Sequence, residues 1–464
     1  MRNVRIRPRP DGGRLLGTGT FPRLRGAPGL RVAAPRARSQ SDLLRLPAMW
    51  GFIATTACLE FCRGALFISL LPAYLTDPQS GLGFSVAALG LIISGQYLAD
   101  TVCKVPAGWL VDRFGPWKVL LPGLALAAAA VYLIPHARTL PLLAVLACAF
   151  GMGGAVNWPA VLSGSVGLGG MRSRASATGI VFLAWLAGGG PGPVLVNFLI
   201  GHGYRTAFDV LAVVVTGAPL AAALGLSGAL HRPGDPPAWR PEAEVAAERA
   251  RGAGRPPERA VGGAREALAD LATNLREASW LLPGMFVQML ALGIVLPVLV
   301  PFARAHLHLA SQAEYGLMLL AGGSITVLCL LPFSRAVDRM GSKTPLVAGF
   351  TLAAAAVLLV GLAHGGGGLL WRVCLLGFSY ALILPAWNGL TVGKIDSGRR
   401  GLVLGLFMSI EGLGIASGSA LGGALYTLAY RAPFVATAGI LAAVAIFYLC
   451  VPRRRFQARQ GNGE

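Results

Sequence analysis

Twelve stretches of about 20 mostly apolar residues recur along the chain, and they constrain its fold more than any other feature. Each is long enough to cross a lipid bilayer as an α-helix. Their centres, numbered as spans 1 to 12, lie near residues 60, 95, 126, 150, 187, 217, 291, 324, 354, 380, 413 and 442. Only short loops, two tails and one long connector remain outside them. We therefore predict an all-α membrane protein with no separate soluble catalytic domain.

Composition supports this prediction and argues against a soluble protein. The 464 residues are 55% hydrophobic and 13% charged, whereas soluble domains have about 25% charged residues. The net charge of +20 is concentrated at the ends, since residues 1–47 contain 11 Arg and 2 acids, and residues 451–464 contain 4 Arg and 1 acid. Basic tails beside apolar spans are typical of cytoplasmic segments, so we do not expect nucleic-acid binding.

The long connector defines the domain organisation. It holds 8 Arg and 8 acidic residues with two proline-rich patches, and it separates six spans from six. We predict a basic disordered cytoplasmic arm at residues 1–47, a six-helix bundle at 48–230, a cytoplasmic linker at 231–279, a second bundle at 280–452 and a cytoplasmic tail at 453–464.

The loops carry an uneven distribution of basic residues. They crowd the connectors after spans 2, 4, 8 and 10, at Arg113, Lys118, Arg172, Arg174, Arg335, Arg339, Lys343, Lys394, Arg399 and Arg400. Because positive loops stay in the cytoplasm, we predict a multi-pass protein of the cell membrane with both termini cytoplasmic.

The two halves repeat each other at a single register of 226 residues. The matched pairs are Asp112 and Asp338, Pro159 and Pro385, Arg174 and Arg400, Gly179 and Gly405, Gly188 and Gly414, Gly192 and Gly418, Tyr204 and Tyr430, Arg205 and Arg431, and Phe208 and Phe434. Two pseudo-symmetric six-helix bundles with a cleft between them form the architecture of an alternating-access transporter.

Motifs of other function classes do not occur in the sequence. It has no phosphate-binding Gly-x-x-x-x-Gly-Lys-Ser/Thr loop, no His-Glu-x-x-His zinc pair and no paired Cys-x-x-Cys. All seven cysteines lie within apolar stretches, which makes a disulfide framework improbable. We therefore predict neither an enzyme nor an ATP-driven pump, and we expect no cofactor and no metal site.

Two repeated motifs are candidate gating elements. One is the charged loop after span 2 with its shorter copy after span 8, and the other is a glycine string in span 5. Their residues are Gly108, Asp112, Arg113, Gly115, Lys118, Asp338, Arg339, Gly188, Gly192 and Pro193. The glycines fit two interpretations, since small residues allow close helix packing and a Gly-Pro step softens a helix for bending.

A few ionisable residues lie inside the predicted spans, where each costs about 2.5 to 3.5 kcal/mol on insertion scales. Glu60 and Arg63 are three residues apart on one helix face, and Asp100 and Lys104 are four apart. These pairs either neutralise each other or form a site that binds a proton. For the second alternative we predict that Glu60 or Asp100 carries the coupled proton, with Glu411 as a further candidate.

The predicted cavity is unequal in polarity. Spans 1 and 2 supply charged residues and Gln96, whereas span 7 supplies only Gln288 among apolar residues. This asymmetry suits an amphipathic molecule, with Arg63 as the partner of its anionic or hydroxylated part. Trp158, Trp185 and Trp387 either line the cavity or serve as packing residues.

The loop residues Gly108, Leu110, Asp112, Arg113, Gly115 and Lys118 resemble the signature of the major facilitator superfamily. The string Gly179, Gly188, Gly192 and Pro193 is similar to the motif of drug/proton antiporters, although Val196 and Asn197 replace two glycines there. The resemblance implies the major facilitator fold, secondary transport and export by antiport.

A narrower resemblance, over residues 48–455, is to proton-coupled flippases that move the anchor glycolipid of lipoteichoic acid. It rests on the strings Glu60-Phe-Cys-Arg63-Gly64, Ala99-Asp100, Trp158, Leu162-Ser163, Trp185, Leu282-Pro283-Gly284 with Gln288, and Leu384-Pro-Ala-Trp387-Asn388. It implies that Glu60, Arg63 and Asp100 belong to the coupling and headgroup site and that Trp158 and Trp185 line the cavity. Glu411 stands where that family has an uncharged amide.

These observations predict a proton-coupled antiporter that exports or flips an amphipathic, lipid-like or glycolipid molecule. A multidrug/proton efflux antiporter is the alternative. The expected partners are the lipid bilayer, the transported molecule and protons, and we expect a monomer.

Overall fold

The apolar stretches fold into long helices, some of them interrupted. The computed structural model describes residues 40–169, 174–230, 280–307, 309, 311–365, 368–393, 400–452 and 456. The predicted linker and most of the predicted arm and tail lie outside these residues.

The described helices of the first half follow the predicted order of spans. Span 1 consists of Pro47–Gly64, a π-helical segment Ala65–Leu70 and Leu71–Thr76; span 2 is Val86–Phe114; span 3 is Pro116–Leu133 with a 3-10 turn Ile134–His136; span 4 is Leu140–Ala155 and Asn157–Gly169; span 5 is Arg174–Gly189 and Pro191–Ile200; span 6 is Tyr204–Leu230.

The described helices of the second half repeat this order. Span 7 is Leu282–Val295 and Leu299–His306; span 8 is Gln312–Met340; span 9 is Lys343–Gly361; span 10 is Leu369–Gly393; span 11 is Arg400–Leu428; span 12 is Ala432–Cys450. Among the described residues, eleven helices are long and apolar enough to cross a membrane, and span 11 is not one of them. Span 11 is 29 residues long, and glycines and Glu411 interrupt its apolar sequence.

Helical structure is present before the predicted boundary at residue 47. A short helix, Gln40–Leu44, precedes span 1. Its Leu43 is completely buried in a small cluster with Met49, Ala177 and Ile180. The last residues of the predicted arm therefore pack on the first bundle, because they include an apolar side chain that reaches it.

The helix ends show the same repeat as the sequence. The Ser85 hydroxyl accepts a hydrogen bond from the backbone at the start of span 2, and the Ser311 hydroxyl, 226 residues later, does the same for span 8. Spans 2 and 8 end at Gly115 and Gly341, whose φ angles are +89° and +79°. Glycine tolerates this left-handed region without strain, so both charged loops begin with the same turn.

The repeated glycines are close-packing positions. A Cβ on Gly188 or Gly192 would overlap the span 1 backbone at Ala57 or Phe61. A Cβ on Gly414 or Gly418 would overlap span 7 at Phe286 or Leu290. In each half the contact therefore repeats after four residues, one helical turn. The packing interpretation is confirmed, and span 5 also breaks at Gly190, between its two glycines.

The two halves touch along two pseudo-symmetric helix pairs. Span 2 packs on span 11, where Gly90 lies against Ser419 and Gly412 lies against Thr101. Span 8 packs on span 5, where a Cβ added to Gly316 would lie 3.1 Å from the Val194 carbonyl oxygen. Side chains near these contacts can therefore act across the seam between the halves.

Candidate functional site

Four charged side chains form a continuous buried chain between spans 1 and 2. Arg63 Nε lies 3.6 Å from Glu60 Oε2, and Arg63 Nη2 lies 3.4 Å from Asp100 Oδ1. Asp100 Oδ2 accepts from Lys104 Nζ at 2.5 Å. Glu60 and Asp100 are only 5% and 1% exposed. We call this set of residues the charge chain.

The local spacing explains two of these contacts and the helix packing explains the third. Positions three or four apart lie on the same helix face, which brings Glu60 to Arg63 and Asp100 to Lys104. Arg63 reaches across to span 2 because its long side chain fills the space beside Gly154 of span 4, where a Cβ would lie 2.6 Å from Nη2. Span 1 changes to a π-helix at Ala65, directly after this site, and such wide turns are frequent at functional sites.

A third carboxylate faces the charge chain from the second half. Trp387 Nε1 of span 10 donates to Glu411 Oε1 of span 11 at 3.4 Å. Lys104 acts electrostatically on Glu411, close to the contact between Thr101 and Gly412. Lys104 therefore binds Asp100 of the first half and lies in the same region as Glu411 of the second half.

Several predicted substrate residues are buried around this region. Gln96 is completely buried and Gln288 is 8% exposed, and among the described residues neither Nε2 atom has a hydrogen-bond partner. Trp185 lies beside the Glu60 carboxylate, and Trp158 packs on Phe182 at a ring distance of 5.4 Å. Buried polar atoms normally have partners, so these amides are free to meet a ligand or water.

The two predicted substrate residues of span 10 differ in burial. Trp387 is 5% exposed and packs on Tyr448 at 6.2 Å in addition to its contact with Glu411. Asn388 is exposed. Within the described part of the chain, no group of three or more His, Cys, Asp or Glu side chains is arranged to hold a metal ion.

The predicted gating loops lie at helix ends, away from the charge chain. Asp112 and Arg113 are exposed at the end of span 2, as are Asp338 and Arg339 at the end of span 8. Twelve residues of helix, about 18 Å, separate Asp112 from Asp100. Lys118 is also exposed, and Gly108 has open space around it. These residues therefore do not belong to the buried site.

The opposite ends of the helices form a junction between the halves that sequence reasoning missed. Arg304 of span 7 donates to the Ala73 carbonyl at 3.3 Å and to the Tyr204 hydroxyl at 3.1 Å, and its Nη1 lies 3.9 Å from Asp77 Oδ2. The Tyr204 hydroxyl donates to Asp77 Oδ2 at 2.8 Å. We call these four residues the loop-end junction, and they join the two halves at this end of the helices.

Comparison with known proteins identifies the family. The family model described as Major Facilitator Superfamily matches residues 52–269 and 281–464. The chain belongs to the major facilitator superfamily. The predicted fold class is confirmed, and the protein is a multi-pass membrane transporter and not an enzyme.

Relatives of this superfamily member include proteins named proton-coupled antiporter flippase LtaA. The one from Staphylococcus haemolyticus is 26% identical over 400 residues, covering 84% of this chain and 90% of that protein. The one from Staphylococcus aureus is 25% identical over 399 residues, with 84% and 91% covered. The suspected resemblance to this flippase is therefore confirmed.

Solved structures of the superfamily share the fold. A peptide transporter, POT, bound to sulfate has a TM-score of 0.67 at 16% identity, covering 90% of this chain and 96% of that chain. The nucleoside transporter NupG has a TM-score of 0.63 at 15% identity, with 86% and 98% covered.

The space beside Gly154 gives a first prediction for this superfamily transporter. Gly154→Ala should displace the end of the Arg63 side chain and weaken its bond to Asp100, because the new methyl group overlaps Nη2 and only that flexible end has to move. We expect folding to be preserved and transport to fall on the order of tenfold, the usual effect of losing a charged hydrogen bond.

The matched control is Gly189→Ala in span 5, because a Cβ there meets nothing within 4 Å. Transport in liposomes and the melting temperature should be measured for both variants. Equal transport by the two would show that the position of Arg63 does not matter.

The loop-end junction gives a second prediction. Arg304→Gln should shift the protein toward the state that is open at this end, on the order of tenfold in population, because it removes the ion pair and weakens two hydrogen bonds. Spin labels at Gln79 and Leu362, in a cysteine-free background, report the distance between the two halves at the loop end. Arg205→Gln, which breaks an exposed pair with Asp209, should leave the distance unchanged.

The junction should not respond to ordinary changes of pH. Burial raises the pKa of Asp77, but hydrogen bonds from Ser80, Gln79 and Tyr204 outweigh burial and hold the pKa at about 2, below its ordinary 3.8. Its contribution is therefore complete above about pH 4 and is lost only as the pH falls toward 2. Arg304→Gln should therefore change the label distance by the same amount at pH 8 and at pH 5, and an effect of this substitution that disappeared at pH 5 would contradict this assignment.

Proposed function

We propose that this transporter is a proton-coupled antiporter that exports or flips an amphipathic molecule. The observation that carries the proposal is the charge chain, in which Lys104 binds Asp100 near the contact of Thr101 with Gly412, the neighbour of Glu411. Ionisable groups at membrane depth are costly unless they serve a pathway or a partner. The names of the LtaA relatives support the same activity.

The number of charges in this region favours binding of one proton. The region contains two cations, Arg63 and Lys104, and three carboxylates, Glu60, Asp100 and Glu411. With every group ionised, one negative charge is unbalanced, and an uncompensated charge in a low-dielectric interior is strongly unfavourable. One bound proton makes the set neutral.

The contacts indicate which carboxylates exchange that proton. Asp100 accepts bonds from both cations, so it serves as their fixed counter-ion. Glu60 has a longer contact to Arg63 and lies beside Trp185, and its Oε1 has no hydrogen-bond partner among the described residues. Glu411 has one bond from Trp387. We infer that Glu60 and Glu411 exchange the proton.

Lys104 then links protonation to the relative position of the halves. When Glu411 is ionised it competes with Asp100 for Lys104 and draws spans 2 and 11 together at this point. When Glu411 is protonated, Lys104 returns fully to Asp100 and the cross-half attraction is lost. A ligand changes the equilibrium between two conformations only if its affinity for them differs. Here the proton would bind more tightly to the conformation in which Lys104 does not attract Glu411.

The substrate class follows from the unequal halves. Arg63 and Gln96 offer hydrogen bonds on the first half. The guanidinium of Arg63 suits phosphate, carboxylate or sugar hydroxyl groups. Span 7 offers apolar side chains around Gln288. A molecule with a polar headgroup and an apolar body satisfies both surfaces, which favours a lipid-like substrate over a multidrug efflux activity.

The direction of transport depends on orientation. We propose that both termini lie in the cytoplasm, as the basic loops favour, so the loop-end junction closes the outer side. The protein would then load its substrate from the cytoplasmic side and exchange it for an external proton.

The test uses purified protein in liposomes with an imposed pH gradient. The probes are a fluorescent short-chain glycolipid, a fluorescent phospholipid and a cationic dye. We expect the gradient to drive movement of a lipid probe between leaflets. Gradient-driven accumulation of the dye with no movement of either lipid would support the efflux alternative and contradict the proposed substrate class.

A further inference from the structure

Asn197 stands in span 5 at a position where the second half has a glycine. The 226-residue register pairs Asn197 with Gly423 of span 11, and Gly316 of span 8 with Gly90 of span 2. A Cβ on Gly90 would lie 3.1 Å from Gly423 Cα, and a Cβ on Gly316 would lie 3.1 Å from Asn197 Cβ. A Cβ on Gly423 would lie 2.7 Å from the Val86 carbonyl oxygen. One seam between the halves therefore carries a polar side chain for which its pseudo-symmetric copy has no room.

The Asn197 side chain binds span 1. Its Nδ2 donates to Ser69 Oγ at 2.9 Å and to the Pro193 carbonyl at 2.5 Å, and the Ser69 hydroxyl donates to the same carbonyl at 3.1 Å. Asn197 and Ser69 are both completely buried. Buried hydrogen bonds are strong, and breaking them leaves polar groups without water. We call Asn197, Ser69 and Pro193 the amide joint, and it holds spans 1 and 5 together.

The amide joint connects two irregular helix segments. Ser69 belongs to the π-helical segment Ala65–Leu70 of span 1. Pro193 and Asn197 belong to Pro191–Ile200, directly after the break of span 5. A π-helical turn and a helix break are points at which a helix bends or changes its register. Because the joint links these two points, a change in one segment is passed to the other.

The amide joint lies on span 1 between the charge chain and the loop-end junction. Ser69 is six residues after Arg63 and eight before Asp77, about 9 and 12 Å along a helix. A displacement of span 1 at Arg63 therefore reaches Asp77 through the segment that the joint holds. On its other side, Asn197 lies against Gly316 of the second half. The joint thus contacts the seam between the halves.

We propose that Asn197 is a positioning residue that makes the charge chain and the loop-end junction change together. The inference rests on the proposed function, in which the charge chain is the place where the proton acts. With the joint intact, the π-helical segment and the second part of span 5 move as one body, so a rearrangement of Arg63 alters the seam with span 8. Without the joint, the π-helical segment absorbs the rearrangement locally and the loop-end junction no longer follows.

The experiment measures the distance between spin labels at Gln79 and Leu362 at pH 8 and pH 5, with the full-length protein in nanodiscs. We expect the wild-type distance to change with pH. The variants Asn197→Ala and Ser69→Ala should reduce this change about three- to tenfold, because each removes a buried hydrogen bond of the joint. The matched control is Ser379→Ala, which removes a completely buried hydroxyl that donates only within span 10 and should leave the pH response intact.

The outcomes separate this inference from the proposed function, which gradient-driven lipid movement tests on the same preparations. A wild-type distance that does not change with pH, or an equal pH response of Asn197→Ala and Ser379→Ala, would overturn the role of Asn197. A pH response that is lost in both joint variants of a protein without gradient-driven transport would support this role and refute the proposed function. If Asn197→Ala does not fold, Ser69→Ala decides, because it keeps the bond from Asn197 to Pro193.

Discussion

Replacing Glu60 or Glu411 by Gln is expected to abolish the response of transport to an imposed pH gradient while substrate exchange continues. Gln keeps the shape and the hydrogen-bonding oxygen but cannot exchange a proton. With either carboxylate neutralised, the remaining two carboxylates balance Arg63 and Lys104 permanently, so the protein no longer gains from releasing a proton. We expect gradient-driven flux to fall at least tenfold, which corresponds to about 1.4 kcal/mol.

Gradient-driven flux and equilibrium exchange should be measured on the same liposomes. Asp209→Asn is the control, because it removes a carboxylate that is 70% exposed and far from the charge chain in sequence. If Glu411→Gln lost the response and Glu60→Gln kept it, the proton site would lie in the second half alone. If both variants kept the response, coupling through these two residues would be wrong.

Replacing Asp100 by Asn should have a different and larger effect on stability. Asp100 is 1% exposed and holds both Arg63 and Lys104. Removing one partner of a buried ion pair typically costs about 3 to 5 kcal/mol because the other charge stays uncompensated. We expect Asp100→Asn to lower the free energy of unfolding by about that amount and to reduce transport as a consequence.

A second substitution distinguishes charge balance from shape. Asp100→Asn combined with Lys104→Met removes the cation that loses its direct ion pair and should recover part of the lost stability, whereas Arg63 keeps its contact with Glu60. Unfolding is measured in mixed micelles, with Asp209→Asn as the exposed control, for which we expect a change within about 0.5 kcal/mol. A double variant less stable than Asp100→Asn alone would show that Lys104 does not depend on Asp100.

The sequence predicted those parts of the fold and site that depend on local spacing. Apolar stretches predicted the spans, and the 226-residue register paired the two charged loops, whose turns the structure shows at Gly115 and Gly341. The spacings of Glu60 from Arg63 and of Asp100 from Lys104 predicted two contacts that the structure confirms. Each of these features is set by one helix or one repeat.

The remaining features depend on how distant helices meet, which spacing does not encode. Arg63 contacts Asp100 only because Gly154 leaves room on a third helix. Lys104 was interpreted only as a partner of Asp100, and its second carboxylate lies more than 300 residues away in sequence. The 226-residue register paired Tyr204, which forms part of the loop-end junction, with Tyr430. No sequence pattern indicated Arg304 as the partner of Tyr204.

We propose different tasks for the end of the molecule at the loop-end junction and for its interior. The loop-end junction keeps its charge at ordinary pH because the pKa of Asp77 is about 2, so in this proposal it closes one end without sensing protons. The charge chain and Glu411 would sense the proton in the interior. We assign control of access at the other helix ends to the charged loops of Asp112 and Asp338.

We propose that protons and substrate move in opposite directions through one protein. The most direct measurement places a pH-sensitive dye inside liposomes and follows the dye and a fluorescent glycolipid together after a gradient is imposed. We predict that proton movement requires the lipid, that protons and lipid move in opposite directions, and that Glu411→Gln stops the proton movement. Lipid movement at the same rate with the gradient collapsed, or protons moving in the same direction as the lipid, would contradict it.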